Sequence, residues 1–229
     1  MKKLAFDIGA NIGEFSKTIL DEFEKIVCFE PIEECLLKIK SSDFYDENKI
    51  ILENIAISNH DGEQLMYICE DSSETPCYAI SSLNYDWTIK SRFAHMSHYN
   101  IPLKKNEKCH VFNKTINVKS NTLETIIKKY GIPDFIKIDV EGHECTILNN
   151  LNTLLKNTIF CFEWTEEYKN ELFTTIQHLD NLGYKKFYCI YEDKFLKKIE
   201  EWKDKNTFLD FNLLSEDRRE LWGMIYFRK

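Results

Sequence analysis

The stretch Phe6-Asp7-Ile8-Gly9-Ala10-Asn11-Ile12-Gly13 decides the fold. Leu4 to Ile8 reads as a short buried strand. Residues 9–13 read as a turn, and Glu14 to Phe23 carries apolar residues at 15, 19, 20 and 23, which is helical spacing. A strand that runs through a glycine turn into a helix is the opening unit of an α/β sheet, whose ligands bind at the carboxyl ends of the strands. Gly9 lets the backbone turn tightly and approach a ligand closely. Asn11 is a residue that tolerates a positive φ, and Gly13 allows the helix start to pack near the strand.

A dinucleotide fold asks for G-x-G-x-x-G. Here Asn11 stands at the second glycine's place and Glu14 at the third. Glu14 would set a carboxylate where a pyrophosphate should meet the helix N-terminus, which disfavours NAD. S-adenosylmethionine carries no phosphate and has a cationic end that Asp7 could face, directly or through water. Its ribose wants an acid at the end of the second strand. Glu30 sits there, 21 residues after Gly9, at the close of the apolar run Ile26 to Phe29. A carboxylate accepts from both ribose hydroxyls in a way a neutral side chain does not match.

Outward from this corner, strands and helices alternate. Pro31 opens a helix continued by Cys35, Leu36, Leu37 and Ile39. Residues 50–57 read as a third strand, 59–62 as a turn, and 64–69 as an additional strand. Helices are expected over 121–130, 144–155 and 171–182, and strands over 135–139, 158–164, 187–191 and 221–227. The pattern is that of a doubly wound, mainly parallel sheet in a single domain over residues 1–229. Residues 71–115 lack clean periodicity and read as an insertion or lid. Within it, Trp87, Phe93 and Tyr99 could stack on a sugar ring or serve the core. His95 and His98 have one-face helical spacing but no matching ligand partners, so surface histidines are expected.

Composition narrows the function classes. The net charge of −8, with lysines dispersed among carboxylates, offers no basic stripe for a nucleic-acid backbone. Eight cysteines without a C-x-x-C pair point to reduced thiols in a cytoplasmic protein. No stretch approaches the length of a membrane span, and the apolar run after Lys2-Lys3 is too short for a signal peptide.

A second constellation is Asp134-Phe135-Ile136-Lys137-Ile138-Asp139-Val140-Glu141-Gly142-His143-Glu144. An apolar strand delivers Asp139 to its C-terminal end, and Glu141, His143 and Glu144 crowd behind it. Ionisable groups packed at a strand end suggest acid–base work. Asp139 also reads as a helix cap, and His143 as a plain helix-surface histidine.

These segments together resemble the FkbM family of methyltransferases. Residues 6–16, 28–31, 54–62, 81–83 and 122–142 carry, in order, patterns similar to its D-x-G-A-N-x-G, F-E-P, T-L-[DE] and F-I-K-I-D-V-E-G-x-E. The resemblance implies a Rossmann-like class I methyltransferase fold: a mostly parallel seven-stranded sheet, helices on both faces, and an antiparallel C-terminal strand. It implies S-adenosylmethionine as cofactor and O-methylation of a sugar, glycan or small-molecule hydroxyl. The cofactor-lining set it implies is Asp7, Gly9, Asn11, Gly13, Ser16, Glu30, Pro31, Asn54, Ala56, Ser82 and Asp139, with Ser81 approaching cofactor or acceptor. The acceptor's proton needs a general base or a metal. Asp139, Glu141 and His143 are the expected catalytic residues. Asp139, Glu141 and Glu163 are hard oxygen ligands for a divalent metal if they converge. An RNA 2′-O-methyltransferase and a non-catalytic cofactor-binding module stand as alternatives; oligomeric state is open.

Overall fold

A computed structural model describes residues 2–71, 74–91, 110–191, 199–212 and 222–229. Its strands are β1 (Lys2–Ile8), β2 (Phe23–Phe29), β3 (Ile50–Glu53), β4 (Ala56–Ser58), β5 (Gly62–Asp71), β6 (His110–Thr122), β7 (Phe135–Ile138), β8 (Ile159–Thr165), β9 (Lys186–Tyr191) and β10 (Trp222–Arg228). Its helices are α1 (Glu14–Ile19), α2 (Glu33–Lys40), α3 (Trp87–Lys90), α4 (Leu123–Tyr130), α5 (Glu144–Asn149), α6 (Lys169–Leu182) and α7 (Lys205–Asn212).

Seven strands form one sheet in the order β3-β2-β1-β7-β8-β10-β9. The pairs from β3 to β8 are parallel, and β10 runs antiparallel between β8 and β9. The chain thus has the seven-stranded α/β architecture with an antiparallel last strand that the sequence implies. Strands buried on both faces read as continuous apolar runs, and each alternates between two cores. Phe6, Ile8, Ile136 and Ile138 pack with Leu123 and Ile126 of α4, Ile147 and Leu148 of α5, and Leu172 and Ile176 of α6. Ala5, Ile26, Cys28 and Phe135 face the other way, onto Ile19 of α1 and Leu36 and Ile39 of α2.

Several elements differ from the sequence reading, beginning with the first helix, which ends at Ile19 so that Phe23 opens β2. Residues 50–57 do not form one strand. β3 ends at Glu53, and Asn54 Nδ2 donates to the carbonyls of Glu30 and Pro31 at 3.1 and 2.9 Å. β4 then enters a second, three-stranded sheet of order β4-β6-β5. The helix expected over 121–130 starts at Leu123, because Thr122 is its cap, with Oγ1 accepting from Thr125 N at 3.2 Å. What precedes it is the 13-residue β6, whose first residues had been assigned to an aperiodic insertion. The helix expected over 144–155 stops at Asn149. Phe93, His95, His98 and Tyr99 lie outside the described residues.

Candidate active site

The site is built where β1, β2, β7 and β8 end. Gly9 leaves β1 with φ +75°, and both Gly9 N and Ala10 N donate to Phe29 O, at 3.0 and 3.2 Å. A Cβ on Gly9 would stand 1.8 Å from Asp139 O, so only glycine lets this loop lie against the end of β7. Asn11 takes φ +46°, and its N–H donates to Glu30 Oε2 at 2.8 Å. Ile32 N donates to Glu30 Oε1 at 2.9 Å. The Glu30 carboxylate is therefore fixed by two backbone donors at the end of β2. Burial pushes its pKa up to about 7, against the lowering effect of those hydrogen bonds.

A cleft of about 360 Å³ opens over this floor, within the size range of small-molecule sites. The loop 9–12, Glu30, Pro31 and Ala56 line it, with Tyr78, Ala79, Ser81 and Leu83, and with Lys137, Asp139, Glu141, Glu163 and Trp222. Ligand oxygens of Asp139, Glu141 and Glu163 lie within 4.8 Å of one another. Glu141 sits at φ +57°, followed by Gly142 at +82°. Ser82 Oγ donates to Glu141 O and Asn84 Nδ2 to Gly142 O, each at 2.6 Å, so the left-handed turn is held from the 81–84 segment.

Several expected site residues stand elsewhere. Asp7 is fully buried behind the loop and accepts from Ser16 Oγ at 2.6 Å. Both hold α1 to β1 and are not among the lining residues. Gly13 faces Phe44 and Ile39, not the cleft. Asn54 braces the ends of β2 and β3 through the two carbonyls described above. Ser82 acts on the Glu141 backbone, and Ser81 lines the cleft in its place. His143 is turned away: its Nε2 lies 2.9 Å from Ser58 Oγ, and burial and the nearby His60 lower its pKa to about 4. Trp87 is fully buried, its Nε1 donating to Ile80 O at 3.1 Å, so it is a core residue.

Lys137 is a site residue that the motif reading does not single out. Its Nζ lies 3.0 Å from Asp139 Oδ2, 3.6 Å from Asp7 Oδ1 and 3.5 Å from Gly9 O, under the Phe15 ring. The sequence held a signal: Asp7 and Lys137 each interrupt an apolar strand with a charge, and the register of β1 with β7 sets them side by side.

The profile of the methyltransferase FkbM domain matches residues 7–186. The chain belongs to the FkbM methyltransferase family. It is an S-adenosylmethionine-dependent methyltransferase. Among solved structures it is similar to precorrin-6y C5,15-methyltransferase from Geobacter metallireducens GS-15, at 12% identity over 99% of this chain and 79% of that one, with a TM-score of 0.47. A putative S-adenosylmethionine-dependent methyltransferase from Listeria monocytogenes gives 11% identity, 100% and 91% coverage and a TM-score of 0.46. An rRNA methylase from Streptococcus thermophilus gives 10% identity, 100% and 87% coverage and 0.43. No curated protein gives a significant match to the sequence.

The residues of the FkbM domain fit that cofactor. Gly9 and the loop after it line the cleft with backbone, and Glu30 offers a buried, oriented carboxylate whose remaining lone pairs suit two vicinal hydroxyls. Glu14, Glu30, Asp139, Glu141 and Glu163 line the cleft, against Lys137 as the basic side chain among its described lining residues. A cationic ligand suits such a lining and a phosphate does not. Among the described residues no helix is long and apolar enough to cross a membrane.

Proposed function

We propose that the chain transfers the methyl group to a hydroxyl of a sugar, glycan or similar small polyol. The observation that carries this reading is the convergence of the carboxylates of Asp139, Glu141 and Glu163 in a cleft that Trp222 also lines. Carboxylates accept from hydroxyls, and an aromatic ring covers the apolar face of a sugar. The described lining from Tyr78 to Leu83, part of the 71–115 segment, would shape what enters.

Bound S-adenosylmethionine supplies a methyl group already activated on a sulfonium. In this reading Glu30 accepts from the ribose hydroxyls, and the loop 9–12 lies against the nucleoside. Asp139 takes the proton from the acceptor hydroxyl, one of its oxygens being held by Lys137. Glu141 and Glu163 accept from neighbouring hydroxyls and fix the acceptor's orientation, which is where most of the rate gain from positioning arises.

The convergence of three hard oxygen donors within 4.8 Å also favours a second reading, in which a divalent cation held by Asp139, Glu141 and Glu163 binds the acceptor oxygen. A labelled-methyl assay on a panel of glycosides, glycans and RNA, with and without chelator, tests both. Label in an alkali-stable ether on glycosides supports the first reading, and its loss with chelator the second. Label on RNA alone would overturn the proposal. Cofactor binding with no transfer to any acceptor would favour a non-catalytic module.

A further inference from the structure

Lys137 is a buried cation in a cleft that serves a cationic cofactor, and its placement needs a reason beyond charge. Its side chain is 7% exposed, and it contacts the carboxylates of β1 and β7 and the carbonyl of the loop between them. Asp7 faces it from the adjacent strand, and Phe15 of α1 covers it. We infer that Lys137 is a positioning residue that reserves Asp139 for the acceptor, by engaging its carboxylate so that it does not settle on the cofactor's sulfonium. The inference rests on the proposed role of Asp139 for its purpose, but its test does not.

The physical reason lies in differential binding. The sulfonium's charge is dispersed as the methyl departs, so a carboxylate that grips the cation stabilises the ground state more than the transition state. Asp139 Oδ2, held at 3.0 Å by an ammonium that is itself fixed by Asp7, is partly neutralised and aimed. Were Lys137 merely a cation near the sulfonium, its loss would shift the preference between S-adenosylmethionine and S-adenosylhomocysteine equally with Asp or Asn at position 139. If it tempers Asp139, its loss shifts the preference between the two through that carboxylate, because the methylated cofactor carries the extra charge and S-adenosylhomocysteine does not.

The test is calorimetric binding of S-adenosylmethionine and S-adenosylhomocysteine to the wild type and to Lys137→Met. The expected result is a rise in preference for the charged form of roughly five- to tenfold, the size of one added unit charge at partly screened separation. An equal change in both affinities, or a fall in the ratio, would overturn the inference. Where Lys137→Met alone fails to fold, the Asp7→Asn, Lys137→Met pair removes one charge of each sign from the interior and must show the same rise. Asp139→Asn then separates the two readings. Ablated methyl transfer with no further ratio change on adding Lys137→Met supports both. A ratio that still rises in the Asp139→Asn background shows that Lys137 does not act through Asp139. Unchanged transfer in Asp139→Asn removes the catalytic role while leaving the binding result to stand.

Discussion

If Glu30 holds the cofactor's ribose as proposed, cofactor affinity should depend on pH, and the size of the effect follows from its surroundings. The carboxylate is 5% exposed, and burial lifts its pKa to about 7, while Asn11 N and Ile32 N donate to its two oxygens. The ionised form accepts strongly from both ribose hydroxyls, whereas the protonated form gives up acceptor capacity to its own O–H. Apparent affinity is the intrinsic affinity scaled by the competent fraction. At pH 8 nearly all of Glu30 is competent. At pH 5.5, about 1.5 units below its pKa, roughly one molecule in 30 is, so affinity falls about 30-fold, or about 2 kcal/mol. Calorimetric titration with S-adenosylhomocysteine from pH 5.5 to 8 measures this directly. The expected plot of log Kd against pH has a slope near −1 below the midpoint and is flat above it. Glu30→Gln should bind more weakly at pH 8 by about 1.5–3 kcal/mol, the range for hydrogen bonds to a charged group, and should lose most of the slope. A flat wild-type curve, or the same slope in Glu30→Gln, would refute the assignment of the ribose to this carboxylate.

Gly9→Ala combines a left-handed φ with a Cβ 1.8 Å from Asp139 O; it should cost about 3 kcal/mol or more in urea unfolding and abolish S-adenosylhomocysteine binding. Glu144, fully buried and with its pKa raised to about 7 by burial, contributes stability that is complete below pH 4.5 and lost as pH rises through 7. Denaturation should therefore show up to about 3 kcal/mol less stability at pH 8 than at pH 4.5 from this group, with a flatter profile in Glu144→Gln. His143→Ala leaves Ser58 Oγ without its imidazole partner and should cost about 1–3 kcal/mol in stability, with turnover per folded molecule retained. Asp139→Asn should instead lose about 100-fold or more in turnover per folded molecule.

Much of this site was legible because its backbone demands particular residues at particular spacings. Gly9, Asn11 and Glu30, which chain punctuation and strand ends single out, all line the cleft. Where expected side chains point elsewhere, the cause is shared: neighbours in sequence do not share an orientation. His143 follows Asp139 by four residues, but the left-handed pair Glu141-Gly142 reverses the chain between them and sends the imidazole to Ser58. Asp7 sits one residue before the end of a strand whose alternation turns it onto α1 and Ser16. The split at Asn54 carried no proline or glycine to announce it; it is set by side-chain hydrogen bonds to Glu30 and Pro31 from a distant strand end. β6 was missed despite alternating Ile116 and Val118, because its polar face and the aperiodic stretch before it masked the period of two.

The charge of the cleft constrains the acceptor more tightly than its shape does. Among the described lining residues five carboxylates face one lysine, and that lysine is engaged by Asp7 and Asp139. The cofactor's ammonium and sulfonium offset part of this excess, and its own carboxylate returns some of it. An acceptor with a phosphate or carboxylate near the reacting hydroxyl would meet Asp139, Glu141 and Glu163 within a few ångströms of one another, where like charges repel by several kcal/mol at the effective dielectric of a partly buried site. A neutral polyol meets the same three groups as hydrogen-bond acceptors. The acidic cleft therefore argues for a neutral or cationic acceptor from the same electrostatics that suit it to a sulfonium and turn away a pyrophosphate.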